Sequence, residues 1–198
     1  MKKILIPGII VFVLTTYIVS AKKYLSVPTL EKVERDPAIE NVTNTEAGGS
    51  GTTMENGTYK DNLLGVSWEP DPRGFYFDLT NLSQTPFTVV WEECFINDAF
   101  SRYAIIHAGV KYVREMPPTE IGPGKNLKDN LYPSAFCKFE RGKISTIRPK
   151  NIYKKKLKEK EATDGAFSPE TFVVTLALDS AGTRYTYTFH FKTALVEQ

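Results

Sequence analysis

Tyr185, Tyr187, Phe189 and Phe191 occupy every second position of one run, and Arg184, Thr186, Thr188, His190 and Lys192 fill the places between. Successive side chains of an extended strand point to opposite faces, so this run sorts itself into an apolar face and a wet face. A helix of 3.6-residue period cannot make that division. Ahead of it lies Thr171–Asp179, rich in Val and Leu, and Ser180-Ala181-Gly182 between the two is a tight-turn sequence. The pair predicts an antiparallel hairpin whose aromatic row is core, not a stacking platform for a sugar or a base.

The same period recurs upstream. Leu63–Trp68 reads as a short strand stopped by Glu69-Pro70-Asp71-Pro72, and Gly74–Thr80 as one with Phe75, Phe77 and Leu79 on a single face. Phe87–Asn97 reads as one long strand, with Phe87, Val89, Trp91 and Phe95 on one side and Val90, Cys94 and Ile96 on the other. Arg102–His107 and Val110–Arg114 follow, hinged at Gly109. Seven or eight short strands without a long helical period predict an all-β fold, a single antiparallel β-sandwich over residues 61–198. Its architecture is immunoglobulin-like, but the hallmark is unmet, since Trp91 precedes Cys94 instead of lying between Cys94 and Cys137.

The amino terminus fixes an address. Lys2-Lys3, an apolar run over residues 4–21 and then Lys22-Lys23 make residues 1–23 a signal peptide or a signal anchor. As a helix that run spans roughly 27 Å, against a hydrocarbon core of ~30 Å. Val19-Ser20-Ala21 suits cleavage after Ala21, whereas Lys22 and Lys23 resist export directly after a cut. Both fates stay open, with the balance toward the anchor. Residues 24–60 read as a flexible linker, because Pro28, Pro37, Gly48-Gly49-Ser50-Gly51 and six acidic against three basic residues over 26–60 leave little to bury. Asn41, Asn56 and Asn81 each open an N-glycosylation triplet.

Two cysteines are too few for a disulfide scaffold. In an oxidising compartment Cys94 and Cys137 either form one bridge, worth ~4 kcal/mol in the chain-entropy account, or stand as two buried thiols. The bridge is the expectation for an exported chain. The two histidines, His107 and His190, lie in no metal-ligand spacing and read as surface or strand-end residues. Adjacent Glu92 and Glu93 point to opposite sides of a strand and cannot act as a carboxylate pair. With no nucleophile elbow and no phosphate-cradling loop, neither catalytic residues nor a cofactor or metal site is predicted.

Charge is the uneven feature. Residues 138–160 hold ten basic and two acidic residues, a net +8, while residues 61–137 carry −4 and residues 161–198 carry −3. A solvated insertion explains this, and so does contact with an anion. Lys150, Lys154, Lys155, Lys156, Lys158 and Lys160 are the candidate contacts, on an exposed excursion from the sandwich facing anionic lipid or an acidic protein. Scarce aromatics in that stretch argue against nucleic acid.

The strand from Asn81 to Trp91, Ile106-His107-Ala108-Gly109-Val110-Lys111-Tyr112, Pro117-Pro118, Ile121-Gly122-Pro123-Gly124, Asp129 and Pro133 together resemble a group of uncharacterised bacterial envelope proteins, many of them lipoproteins with one sandwich domain. The likeness covers roughly Tyr59 to Pro133. It implies location and fold but no activity, and the chain lacks the lipobox cysteine near residue 21. The expectation is a single-pass envelope protein whose exported, non-catalytic domain binds or assembles with a partner. The alternative is a cleaved periplasmic or secreted binder of carbohydrate or peptide, with Trp68, Tyr103 and Tyr132 as its exposed aromatics. An enzyme without a recognisable motif comes third.

Overall fold

A computed structural model describes residues 24–37, 53–55, 57–108, 116–139, 147–158, 162 and 167–197. The segment read as signal or anchor, the strand expected at Val110–Arg114 and Lys160 lie outside them. Among the described residues the strands are β1 (Tyr24–Asp36), β2 (Thr53–Glu55), β3 (Thr58–Lys60), β4 (Leu64–Asp71), β5 (Gly74–Asn81), β6 (Phe87–Val89), β7 (Phe95–Asn97), β8 (Arg102–His107), β9 (Thr119–Ile121), β10 (Asn126–Pro133), β11 (Cys137–Phe139), β12 (Ile147–Pro149), β13 (Lys156–Leu157), β14 (Thr171–Ser180) and β15 (Thr183–Glu197). The all-β expectation holds.

Thirteen of these strands form one curled antiparallel sheet, in the order β13-β1-β15-β14-β7-β8-β10-β5-β4-β3-β2, with β6 also beside β14 and β9 beside β6. β11 and β12 make a separate two-stranded piece. β8 turns the sheet. Its first half, Arg102–Ala104, pairs with β7, and its second half, Ile105–His107, pairs with β10. The curl brings Trp68 on β4 within 4.9 Å of Phe189 and 5.5 Å of Phe191 on β15, measured between ring centroids. Phe75 on β5 likewise reaches Phe191, at 4.8 Å. The aromatic row of β15 is therefore core, with Tyr187, Phe189 and Phe191 buried and Tyr185 half-buried.

The β14–β15 hairpin forms as expected and turns on Ala181 and Gly182, whose φ values of 49° and 79° match the twist of a two-residue connection. Three other expectations change. The long strand over 87–97 is broken, because a 3-10 turn at Trp91–Glu93 sets Val90–Cys94 opposite only Leu176 and Ala177 of β14. The three extra residues reverse the facing, so Ile96 is buried beyond the turn as Phe87 and Val89 are before it. Glu92 and Glu93 are both exposed on that turn and do not alternate across a strand.

Secondly, β4 runs through Pro70 to Asp71. β3 pairs only with Gly65–Ser67, so at Pro70 the missing N–H is needed on one side at most. Thirdly, the linker reading of residues 24–60 fails at its start, since β1 pairs with β15 from Tyr24 to Asp36. Tyr24, Ser26 and Pro28 are its buried positions. Its far end is tied down by Arg35, whose Nη1 lies 3.0 Å from the buried Asp61 carboxylate. That carboxylate also accepts hydrogen bonds from the Tyr187 and Tyr59 hydroxyls, at 2.8 and 3.1 Å, and from the Leu63 and Leu64 amides, both at 2.8 Å.

Candidate functional site

The described part of the basic segment beyond β12, residues 150–158, is docked on the sheet and is not an excursion from it, whereas β11 and β12 stand apart as the two-stranded piece. After β12, the Lys150 amide donates to Phe136 O at 2.8 Å and the Ile152 amide to Pro72 O at 2.6 Å. Ile152 is half-buried and Tyr153 buried, its ring 6.0 Å from that of Phe172. Burial first, and then the charges of Asp71 and Glu170, push the Tyr153 hydroxyl well above the ordinary phenol range. These two residues pin a stretch in which five of the nine residues from 150 to 158 are lysine. Lys155 O accepts the Ser26 amide at 2.9 Å, and β13 then pairs with the first residues of β1, Lys156 opposite Leu25 and Leu157 opposite Tyr24.

The pinned segment therefore presents its cations at one end of the sheet. Lys150, Lys154, Lys155, Lys156 and Lys158 are all exposed there. β15 finishes beside them, with Val196 opposite Leu25 and Leu195 opposite Ser26. Leu195 and Val196 are 36% and 42% exposed. A shallow hollow lined by Ile96, Asp98, Tyr103, Pro133, Phe136, Ile152 and Phe172 adjoins the segment. Its polar groups already satisfy each other, the Tyr103 hydroxyl donating to Asp98 Oδ2 at 2.8 Å. The turn that carries Asp98 also carries Phe100, which is 94% exposed.

The Cys94–Cys137 bridge is not formed in the structure, and both thiols are free. Cys94 is buried, donating to Val90 O at 3.3 Å and accepting the Ala177 amide at 3.3 Å, while Cys137 donates to Pro133 O at 3.4 Å. Burial raises the thiol of Cys94 to about 12 and that of Cys137 to about 11, so neither is a ready nucleophile. Trp68, expected as an exposed aromatic, is buried against Phe75, Phe77 and Phe189, and Tyr103 and Tyr132 are half-buried. Asn81 is fully buried and unavailable for glycosylation, while Asn41 and Asn56 lie outside the described residues.

One cluster carried no sequence signal. His107, expected near the surface, is buried with its ring stacked on Trp91 at 4.3 Å, and its Nδ1 lies 2.7 Å from Asp129 Oδ2. Asp129 Oδ1 accepts the Ala108 and Asn130 amides at 2.8 and 2.7 Å, and Trp91 Nε1 donates to Thr119 Oγ1 at 2.8 Å. A His–Asp pair orients a general base in hydrolases. Here, among the described residues, Nε2 is buried with no hydrogen-bond partner, so no hydroxyl or thiol is set against it. The pair works as a latch between β8 and β10. His190 lies on the outer face of β15, 3.5 Å from Glu34. Among the described residues no three metal-ligating side chains come together.

No protein-family model, no curated protein and no solved structure matches the chain. The functional reading therefore rests on its residues and geometry.

Proposed function

We propose that the chain is a membrane-anchored, exported and non-catalytic β-domain that serves as a binding or assembly module of the cell envelope. The observation that carries the reading is the place where folded structure begins. The apolar run ends at Ala21, and Tyr24 is already paired on both sides, with Glu197 and with Leu157. A retained anchor thus holds the domain against the bilayer, with no long spacer between them. We read the curl of the sheet, with the rings of β4 and β5 on those of β15, as a two-layer sandwich packing. The absence of a helix long and apolar enough to cross a membrane applies to the described residues, which exclude residues 4–21.

Amino-terminal sequencing of the native protein, together with carbonate washing of membranes, tests the anchor. The expected result is a chain that begins at Met1 and stays in the membrane pellet. A mature chain that begins at Lys22 in the soluble fraction replaces this reading with that of a released periplasmic or secreted binder.

A further inference from the structure

The basic end of the sheet combines two chemistries that seldom meet on a purely solvated surface. Lys154, Lys155, Lys156 and Lys158 stand exposed around β13, and Lys150 at the other side of the Ile152-Tyr153 pin. Beside them are three exposed apolar side chains, Phe100, Leu195 and Val196, the first on a turn whose Asp98 lines the same hollow as Ile152. Acids lie among them: Asp71 pairs with Arg73 at 2.8 Å and also meets the charge of Lys155, Asp98 accepts the Tyr103 hydroxyl, Glu170 acts on Tyr153, and Glu197 stands opposite Tyr24. Lysines with an aromatic and aliphatic fringe match an interface of anionic headgroups over acyl chains. An acidic protein surface would be served by the lysines, but Phe100, Leu195 and Val196 are single side chains on two elements and do not make the packed apolar centre of a protein interface.

The register supplies the orientation. β13 runs antiparallel to β1, so Leu157 lies beside Tyr24 and Lys158 lies beyond it. In sequence, Tyr24 follows Lys22-Lys23 and the apolar run. The point where the chain would leave the bilayer is thus the corner of the sheet around which the lysines are grouped. Lys125 marks the opposite pole, since its carbonyl accepts the amide of Asn81, at the far end of β5 from the Pro72 turn that Ile152 touches.

We propose that this end of the domain lies on the anionic lipid surface of the membrane that holds the anchor, with the five lysines on headgroups and Phe100, Leu195 and Val196 at the acyl boundary. The proposal deepens the anchored reading and rests on it for orientation. The part of its energy that distinguishes anionic from neutral lipid is electrostatic, grows with the number of lysines, and is screened within a Debye length of ~8 Å at physiological salt, while the apolar side chains contribute alike on either lipid.

The test is lysine acylation mapped by mass spectrometry, on the full chain mixed with phosphatidylcholine vesicles or with vesicles that also hold phosphatidylglycerol. Flotation with the neutral vesicles reads the anchor separately. The expected result is that Lys154, Lys155, Lys156 and Lys158 react about threefold or more slowly on the anionic vesicles, while Lys125 is unchanged, and that ~1 M salt removes the difference. A chain with those four lysines changed to glutamate, its fold checked by circular dichroism, should still float with neutral vesicles but show no difference in acylation at Lys150 between the two lipids. Equal acylation of the four lysines on both vesicles overturns the proposal even if the chain floats. Protection that appears only in native membranes, and not with phosphatidylglycerol, also overturns it and assigns the surface to an acidic protein. Flotation and protection with anionic vesicles alone keeps the docking and removes the anchor.

Discussion

Asn81 is fully buried, yet each polar atom of its carboxamide has a partner. Nδ2 donates to Thr85 O at 2.9 Å and Ile121 O at 2.8 Å, and Oδ1 accepts the Ser83 amide at 2.9 Å and its hydroxyl at 2.7 Å. One side chain thus fixes the turn between β5 and β6 and the loop that leads out of β9. Alanine at this position strands the buried Ile121 carbonyl and takes the acceptor from the half-buried Ser83 amide, while Thr85 O keeps the Ser83 hydroxyl at 2.7 Å. Asn81→Ala should therefore cost about 2 kcal/mol in denaturant unfolding, since each stranded buried group costs about 1 kcal/mol or more. A loss under about 1 kcal/mol would mean that the loop is open to solvent. The sequence offered this residue as the start of a glycosylation triplet and of the family likeness, and neither told of its burial. A short sequence pattern reports which atoms are available for modification but not which of them the fold has already used.

At the scale of elements, what could be read in advance depended on which interaction holds each strand. β15 buries one face and β14 is buried on both from Val174 to Leu178, so an alternating run and an apolar run spell out the pairing, and Phe75, Phe77 and Leu79 do the same for β5. β1 was illegible because its long pairing with β15 is made by the backbone: only Tyr24, Ser26 and Pro28 are fully buried, and a register shift between Leu30 and Lys32 breaks the alternation that would join them to Leu30 and Val33, which pack partly on the core. The basic segment hid its docking in two residues, Ile152 and Tyr153, amid lysines. The break in the strand over 87–97 arises from three inserted residues, which alternation alone cannot reveal. Close packing of β5 on β10 gives a test at the same scale. A Cβ built on Gly74 would stand 2.1 Å from Leu131 O and 2.8 Å from the Tyr132 ring. Neither the paired backbone nor a half-buried ring yields that much space. Gly74→Ala should destabilise the protein by about 2 kcal/mol or more, as other overpacked sites do, and should speed hydrogen exchange at Phe75 and Leu131. Unchanged exchange there would show that the two strands are not held at this spacing.

The whole molecule keeps several weak acids protonated inside the curl. Burial, aided by the Asp61 carboxylate, holds the hydroxyls of Tyr187 and Tyr59 well above the ordinary phenol value, and burial does the same for Tyr153. Cys94 is raised to about 12 from an ordinary thiol value of 9.0. In each case the folded chain favours the neutral form more than the unfolded chain does. The stability these groups contribute is therefore complete below their unfolded values, 9.0 for the thiol and 10.0 for the phenols, and is lost as the pH rises toward the folded ones. Tyr59 and Tyr187 share one acceptor that also neutralises Arg35, so ionising either phenol sets a second anion against Asp61 and favours opening of the sheet. Alkaline unfolding should accordingly begin above about pH 9 and be cooperative. Tyrosinate absorbance should rise in two stages, the exposed phenols first and the buried set together with loss of the β-sheet circular dichroism. If all the tyrosines ionise at the ordinary phenol value while the dichroism is intact, the Asp61 network is open to water and the two faces of the curl do not close on one another.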